Sequence, residues 1–118
     1  MNACQQLIVE RLVIKVSDIY GIEPAELSGK TQRTQYCIAR GIIWAFTYQN
    51  LGLTYRQLGQ AFNRDHKSVY NGVKVTRGEI TVNKERNNHY CSLTAILNET
   101  LNEPSCRTAF PQLKEKAL

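Results

Sequence analysis

The sequence predicts an all-α fold of five to six helices. Apolar residues recur at spacings of three and four along most of the chain, almost nothing alternates, and glycine or proline stands where each period stops. With 118 residues and 42% hydrophobic composition, the chain has enough material for one domain with a core and too little for a second of ordinary size. The expected organisation is a single helical domain over residues 1–103, with a flexible polar tail over 104–118.

From Gln5 to Tyr20, the residues Ile8, Leu12, Val16 and Ile19 form one stripe of an amphipathic helix that Gly21 ends. Pro24 then stands near a first-turn position, so Glu23–Leu27 reads as a short helical turn before an exposed polar link from Ser28 to Thr34. A second helix is expected from Gln35 to Gln49. It buries Ile38, Ile42, Ala45 and Phe46, widened by Ile43 and Trp44, and Gly52 closes it. Thr54-Tyr55-Arg56-Gln57 has the form of a capping box, opening a short helix that turns Tyr55, Leu58, Ala61 and Phe62 inward. After a tight turn at Asn63 and Arg64, Asp65 is placed to cap a helix carrying Val69, Val73, Thr76 and Ile80. The β-branched run there lowers helix propensity, so that helix depends on packing. A last helix from Lys84 to Leu101 buries Tyr90, Leu93, Leu97 and Leu101.

Charge is concentrated rather than spread. Lysine and arginine number 15 against 10 acidic residues, and residues 56–77 hold Arg56, Arg64, Lys67, Lys74 and Arg77 against Asp65 alone. That window carries four of the five net positive charges, which points to a polyanionic partner. Cys4, Cys37, Cys91 and Cys106 form no C-x-x-C pair and are not grouped with His66 or His89, so no metal is expected. The cysteines read as reduced thiols acting as small core residues. Neither a signal-like leader nor a membrane-length apolar run is present, and a cytoplasmic location is expected.

A short capped helix and a longer one, joined by a few residues and cationic at the joint, form the layout of a helix-turn-helix over about residues 54–81. Gly59, inside the first of the pair, costs about 1 kcal/mol against alanine and makes sense where another backbone passes close by. Enzymatic chemistry finds little support. Asp65 and His66 are adjacent and so do not face each other on a helix, and no nucleophile accompanies them. Ser28-Gly29-Lys30-Thr31 ends like a phosphate-binding loop, but Pro24 stands where its first glycine belongs and a helix precedes it, so no nucleotide cofactor is expected.

The residues Ile19-Tyr20-Gly21-Ile22, Glu26-Leu27, Ala39-Arg40, Leu58-Gly59, Phe62 and Arg64-Asp65-His66-Lys67-Ser68-Val69 resemble the C-terminal DNA-binding domain of the bacterial replication initiator DnaA. The resemblance implies a Trp-repressor-like helical domain that binds a short asymmetric duplex site, the DnaA box. It implies Asp65, His66, Lys67 and Ser68 facing base edges from the start of the recognition helix, with Arg40 in the minor groove. Lys30, Arg33, Thr54, Arg56, Arg64, Asn71 and Lys74 are then expected along the DNA backbone or groove wall. The chemistry is independently sensible, since aspartate accepts from cytosine amino groups, histidine and lysine donate to guanine or thymine acceptors, and arginine suits a narrow minor groove. The sequence departs from the family pattern at Lys67, where a hydroxyl residue is common, and at Asn63, where two glycines usually precede the arginine. The initiator's nucleotide-binding domain has no counterpart in these residues, so the expected function is sequence-specific DNA binding in replication or transcription control without ATPase activity. The competing reading is a helical protein-interaction module that keeps the fold and has lost specific DNA reading.

Overall fold

The computed structural model describes residues 1–29 and 33–103; Lys30 and the tail over 104–118, including Cys106, lie outside the described residues. Among the described residues are five α-helices and one short 3-10 helix, with no strand. Helix α1 spans Ala3–Tyr20, the 3-10 helix Pro24–Ser28, α2 Thr34–Leu51, α3 Tyr55–Ala61, α4 His66–Val82 and α5 Lys84–Leu101.

Local chemistry sets the ends. Asn2 caps α1 in a reciprocal box: its Oδ1 accepts from the Gln5 amide at 2.8 Å, while Gln5 Oε1 accepts from the Asn2 amide at 2.9 Å. Gly21 and Gly52 end α1 and α2 in the left-handed region, at φ 64° and 66°. Asn83 closes α4 and caps α5, its Oδ1 accepting from the Arg86 amide at 2.9 Å, so the two helices follow each other without a loop.

Helix α2 is the centre of the domain and packs against α1, α4, α5 and the 3-10 helix. Ala39, Ile42, Ile43, Trp44, Ala45 and Phe46 are all buried, so α2 is apolar nearly all round, as a helix surrounded by others must be. Ile8, Leu12 and Val16 of α1, Val69 and Val73 of α4, and Leu93, Leu97 and Leu101 of α5 close on it as their periods predict. The α2–α4 crossing is made close by two glycines. A Cβ at Gly41 would stand 2.3 Å from Thr76 Oγ1, and one at Gly72 would stand 2.7 Å from the Trp44 ring. Trp44 lies over Gly72 and meets Phe62 edge-on at 5.9 Å, tying α2 to both helices of the helix-turn-helix.

Some expectations are corrected. Ala61 is exposed rather than inward. Cys4 is buried but disulfide-bonded, and Cys37 and Cys91 are exposed thiols rather than core residues. The described residues contain no helix long and apolar enough to cross a membrane, and no group of metal-ligating side chains.

Two tyrosines give the fold a pH signature. Tyr20 bonds His89 Nδ1 at 2.7 Å, and Tyr90 meets Phe46 edge-on at 5.4 Å. Burial is the main cause that raises both phenols above the ordinary value of 10.0, although Arg86 opposes it at Tyr20 and Asn50 at Tyr90. The unfolded chain therefore releases these protons at lower pH than the folded chain does. Stability is intact below about pH 10 and falls as pH rises from there toward the folded-state values. The denaturation midpoint should decline above about pH 10, less steeply in Tyr90→Phe, and an equal decline in that variant would remove Tyr90 from the account.

Candidate nucleic-acid interface

The site is built from the joint between α3 and α4. Thr54 opens α3 as the box predicts, its Oγ1 accepting from the Gln57 amide at 3.1 Å and its own amide donating to Gln57 Oε1 at 3.0 Å. Leu58 and Phe62 then anchor the short helix in the core. The chain reverses through Asn63 at φ 55°, a left-handed conformation that asparagine tolerates better than most residues. The Arg64 amide donates back to the Gly59 carbonyl at 2.7 Å. A Cβ at position 59 would lie 2.5 Å from the Arg64 carbonyl oxygen, so the close backbone approach inferred from the sequence is present.

Asp65 occupies the N-cap of α4, but its side chain caps no amide. Its carbonyl accepts from Ser68 and Val69, while its carboxylate lies 3.1 Å from His66 Nδ1. The carboxylate is thus held at the helix end beside the imidazole rather than folded over the first turn. Placed roughly 60° from Val69 on the helix, His66 nevertheless leaves 49% of its side chain exposed, because a first-turn residue projects past the helix end. Lys67 and Ser68 are also exposed. Asp65, His66, Lys67 and Ser68 therefore form one accessible turn.

Cations surround it. An open cavity of about 580 Å³ at the joint is lined by Arg56, Gln60, Asn63, Arg64, Asp65 and His66. Arg33, Arg56, Asn71 and Lys74 are exposed. Among the described residues, Arg56, Lys67 and Lys74 have no acidic group within ion-pair distance. Thr54 is exposed with its hydroxyl engaged in the capping box, and Lys30 lies outside the described residues.

Arg40 is corrected. It is 2% exposed, and its guanidinium turns inward to the 3-10 helix: Nε donates to the Leu27 carbonyl at 2.8 Å, and Nη2 to those of Glu26 and Gly29 at 3.3 Å each. Arg64 donates to the same Gly29 carbonyl from the other side. Desolvation, followed by the charge of Arg64, lowers the Arg40 pKa. The fold thus uses Arg40 to tie the 3-10 helix to α2, in place of display toward a groove, while Arg64 links the same Gly29 carbonyl to the helix-turn-helix. The partners of Arg40 are backbone carbonyls at the end of the 3-10 helix, where the helix dipole favours a cation.

These features define an all-helical helix-turn-helix domain with a cationic joint. The model of the bacterial DnaA protein helix-turn-helix matches residues 9–75, more than half of the chain, and the chain belongs to that family. It is 28% identical over 79 residues to the chromosomal replication initiator protein DnaA 1 of Chlamydia pneumoniae, covering 67% of this chain and 16% of that protein. To DnaA 2 of Chlamydia caviae it is 30% identical over 64 residues, covering 54% of this chain and 14% of that protein. The chain thus spans about a sixth of the length of the curated relatives it matches. No solved structure gives a significant match. Membership of this family supports DNA binding.

Proposed function

We propose that the protein binds duplex DNA sequence-specifically, at a DnaA-box-like site, with the first turn of α4 in the major groove. The observation that carries this reading is the exposed Asp65–Ser68 turn, set at the rim of a cavity that Arg56 and Arg64 make cationic. Asp65 would accept from a base amino group, while His66, Lys67 and Ser68 would donate to purine or thymine acceptors. Arg33, Arg56, Arg64, Asn71 and Lys74, together with Thr54 at the start of α3, would flank the phosphates, with Lys30 in the adjoining link. Arg40, being buried, is left out of the reading face. The role is regulatory, in replication or transcription, exercised in the cytoplasm without catalysis or nucleotide.

Fluorescence anisotropy tests the reading. His66→Ala should weaken binding to a box-bearing duplex by about 1–3 kcal/mol and leave binding to its scramble nearly unchanged. Equal losses on both duplexes would make His66 a structural or backbone residue rather than a reader. With five or six phosphate contacts, the slope of log affinity on log salt should lie near −5.

A further inference from the structure

A second group of side chains follows the reading turn along α4. Tyr70, Lys74 and Arg77 recur at spacings of four and three, which puts them on one stripe of the helix. Together with Tyr55 and Val73 they line a cavity of about 220 Å³. Its wall is aromatic and braced. Tyr48 stacks on Tyr55 with ring centroids 4.7 Å apart and planes 10° apart, and Tyr55 meets Tyr70 edge-on at 5.4 Å. Arg77 is near enough for its charge to act on the Tyr55 phenol.

Two features of this group are costly for an isolated helix. Tyr70 is 48% exposed although it is a large ring. Lys74 and Arg77, like charges three residues apart, repel each other, and among the described residues no acidic group stands within ion-pair distance of either. A bound anion removes that repulsion. The cavity is smaller than the roughly 300 Å³ from which small-molecule sites begin, which argues against a whole nucleotide and for a single phosphate group.

Resting on the DNA-binding reading above, we infer that Tyr55, Tyr70, Lys74 and Arg77 hold a phosphodiester of the duplex backbone beyond the segment read by the first turn of α4. Lys74 and Arg77 lie about 10 and 15 Å along the helix from Lys67. At about 3.4 Å per base step, the contact falls roughly three to four steps away. Lys74 alone would serve any basic helix, whereas the braced phenols and Arg77 make a built site that fixes where the backbone crosses.

The test compares wild type with Lys74→Gln, Arg77→Gln and the double variant on box and scrambled duplexes across a salt series. Both side chains are exposed and neutralising either relieves their repulsion, so melting temperatures should not fall. Each single variant should make the salt slope shallower by about 0.9, and the double variant by about 1.8, with the preference for box over scramble retained. Trimming the duplex on one flank should reproduce the loss in wild type and add nothing in the double variant. An unchanged slope with box preference intact overturns the inference and leaves the reading face standing. Inorganic phosphate, added at constant ionic strength, distinguishes the source. If it raises the melting temperature of wild type but not of the double variant while the slopes agree, the site takes free phosphate and the duplex assignment fails. Wild type that binds neither duplex overturns the reading itself, and this inference with it.

Discussion

Arg40→Ala is expected to lower the unfolding free energy by about 3 kcal/mol. The guanidinium is buried and donates to three backbone carbonyls, those of Leu27, Glu26 and Gly29. Hydrogen bonds from a charged donor are each worth about 1.5–3 kcal/mol, and their removal is offset only as far as water reaches the vacated carbonyls. Arg40→Lys should recover little, because a single ammonium cannot span acceptors that a planar fork reaches together. Part of the loss should also appear in Arg64→Ala, whose side chain bonds the same Gly29 carbonyl, and the two effects should not add. Chemical denaturation of the two single variants and the double variant gives all three quantities. A change below about 0.5 kcal/mol in Arg40→Ala would mean that the side chain is a surface group after all.

Gly59→Ala should cost about 2–3 kcal/mol, even though alanine is the better helix former by about 1 kcal/mol. The added Cβ would meet the Arg64 carbonyl oxygen at 2.5 Å and the His66 amide nitrogen at 3.5 Å. Both are backbone atoms of the turn and cannot rotate aside. Relief requires α4 to move away from α3, which would also displace Asp65–Ser68 from the cationic joint. Gly78→Ala supplies the contrast. That glycine lies within α4, is exposed and has no heavy atom other than its own helix's neighbouring backbone and adjoining residues within 4 Å of the added Cβ, so the same substitution should stabilise by about 0.5–1 kcal/mol. Opposite signs at positions 59 and 78 separate the packing argument from helix propensity. A gain at both would show that the turn has room to relax.

The parts of this fold that local pattern controls were legible in the sequence. The α1, α4 and α5 stripes, the stops at Gly21 and Gly52, the Thr54 box and the close approach at Gly59 follow from spacing and backbone chemistry, and the structure contains each. Less legible were features set by what lies opposite. Gly41 and Gly72 stand inside helices with no local reason, and only the α2–α4 crossing explains them. Arg40 follows Ala39 at the edge of an apolar run, where a surface arginine and a buried one look alike. Its partners are carbonyls of a 3-10 helix more than ten residues away, which no helical period reveals. Asp65 holds the cap position that its sequence context predicts, but its side chain turns to His66, and its carbonyl rather than its carboxylate meets the first-turn amides. The tyrosine group is likewise a tertiary fact: Tyr48, Tyr55 and Tyr70 come from three different helices.

The cationic joint and the exposed turn at Asp65–Ser68 matter only if they meet DNA and read it. The most direct measurement is fluorescence anisotropy of the wild-type protein against a labelled duplex carrying a DnaA box and against its scramble, across a salt series. Preference for the box, with affinity falling steeply as salt rises, is the predicted result. Binding that ignores both sequence and salt, or no binding to either duplex, would contradict it.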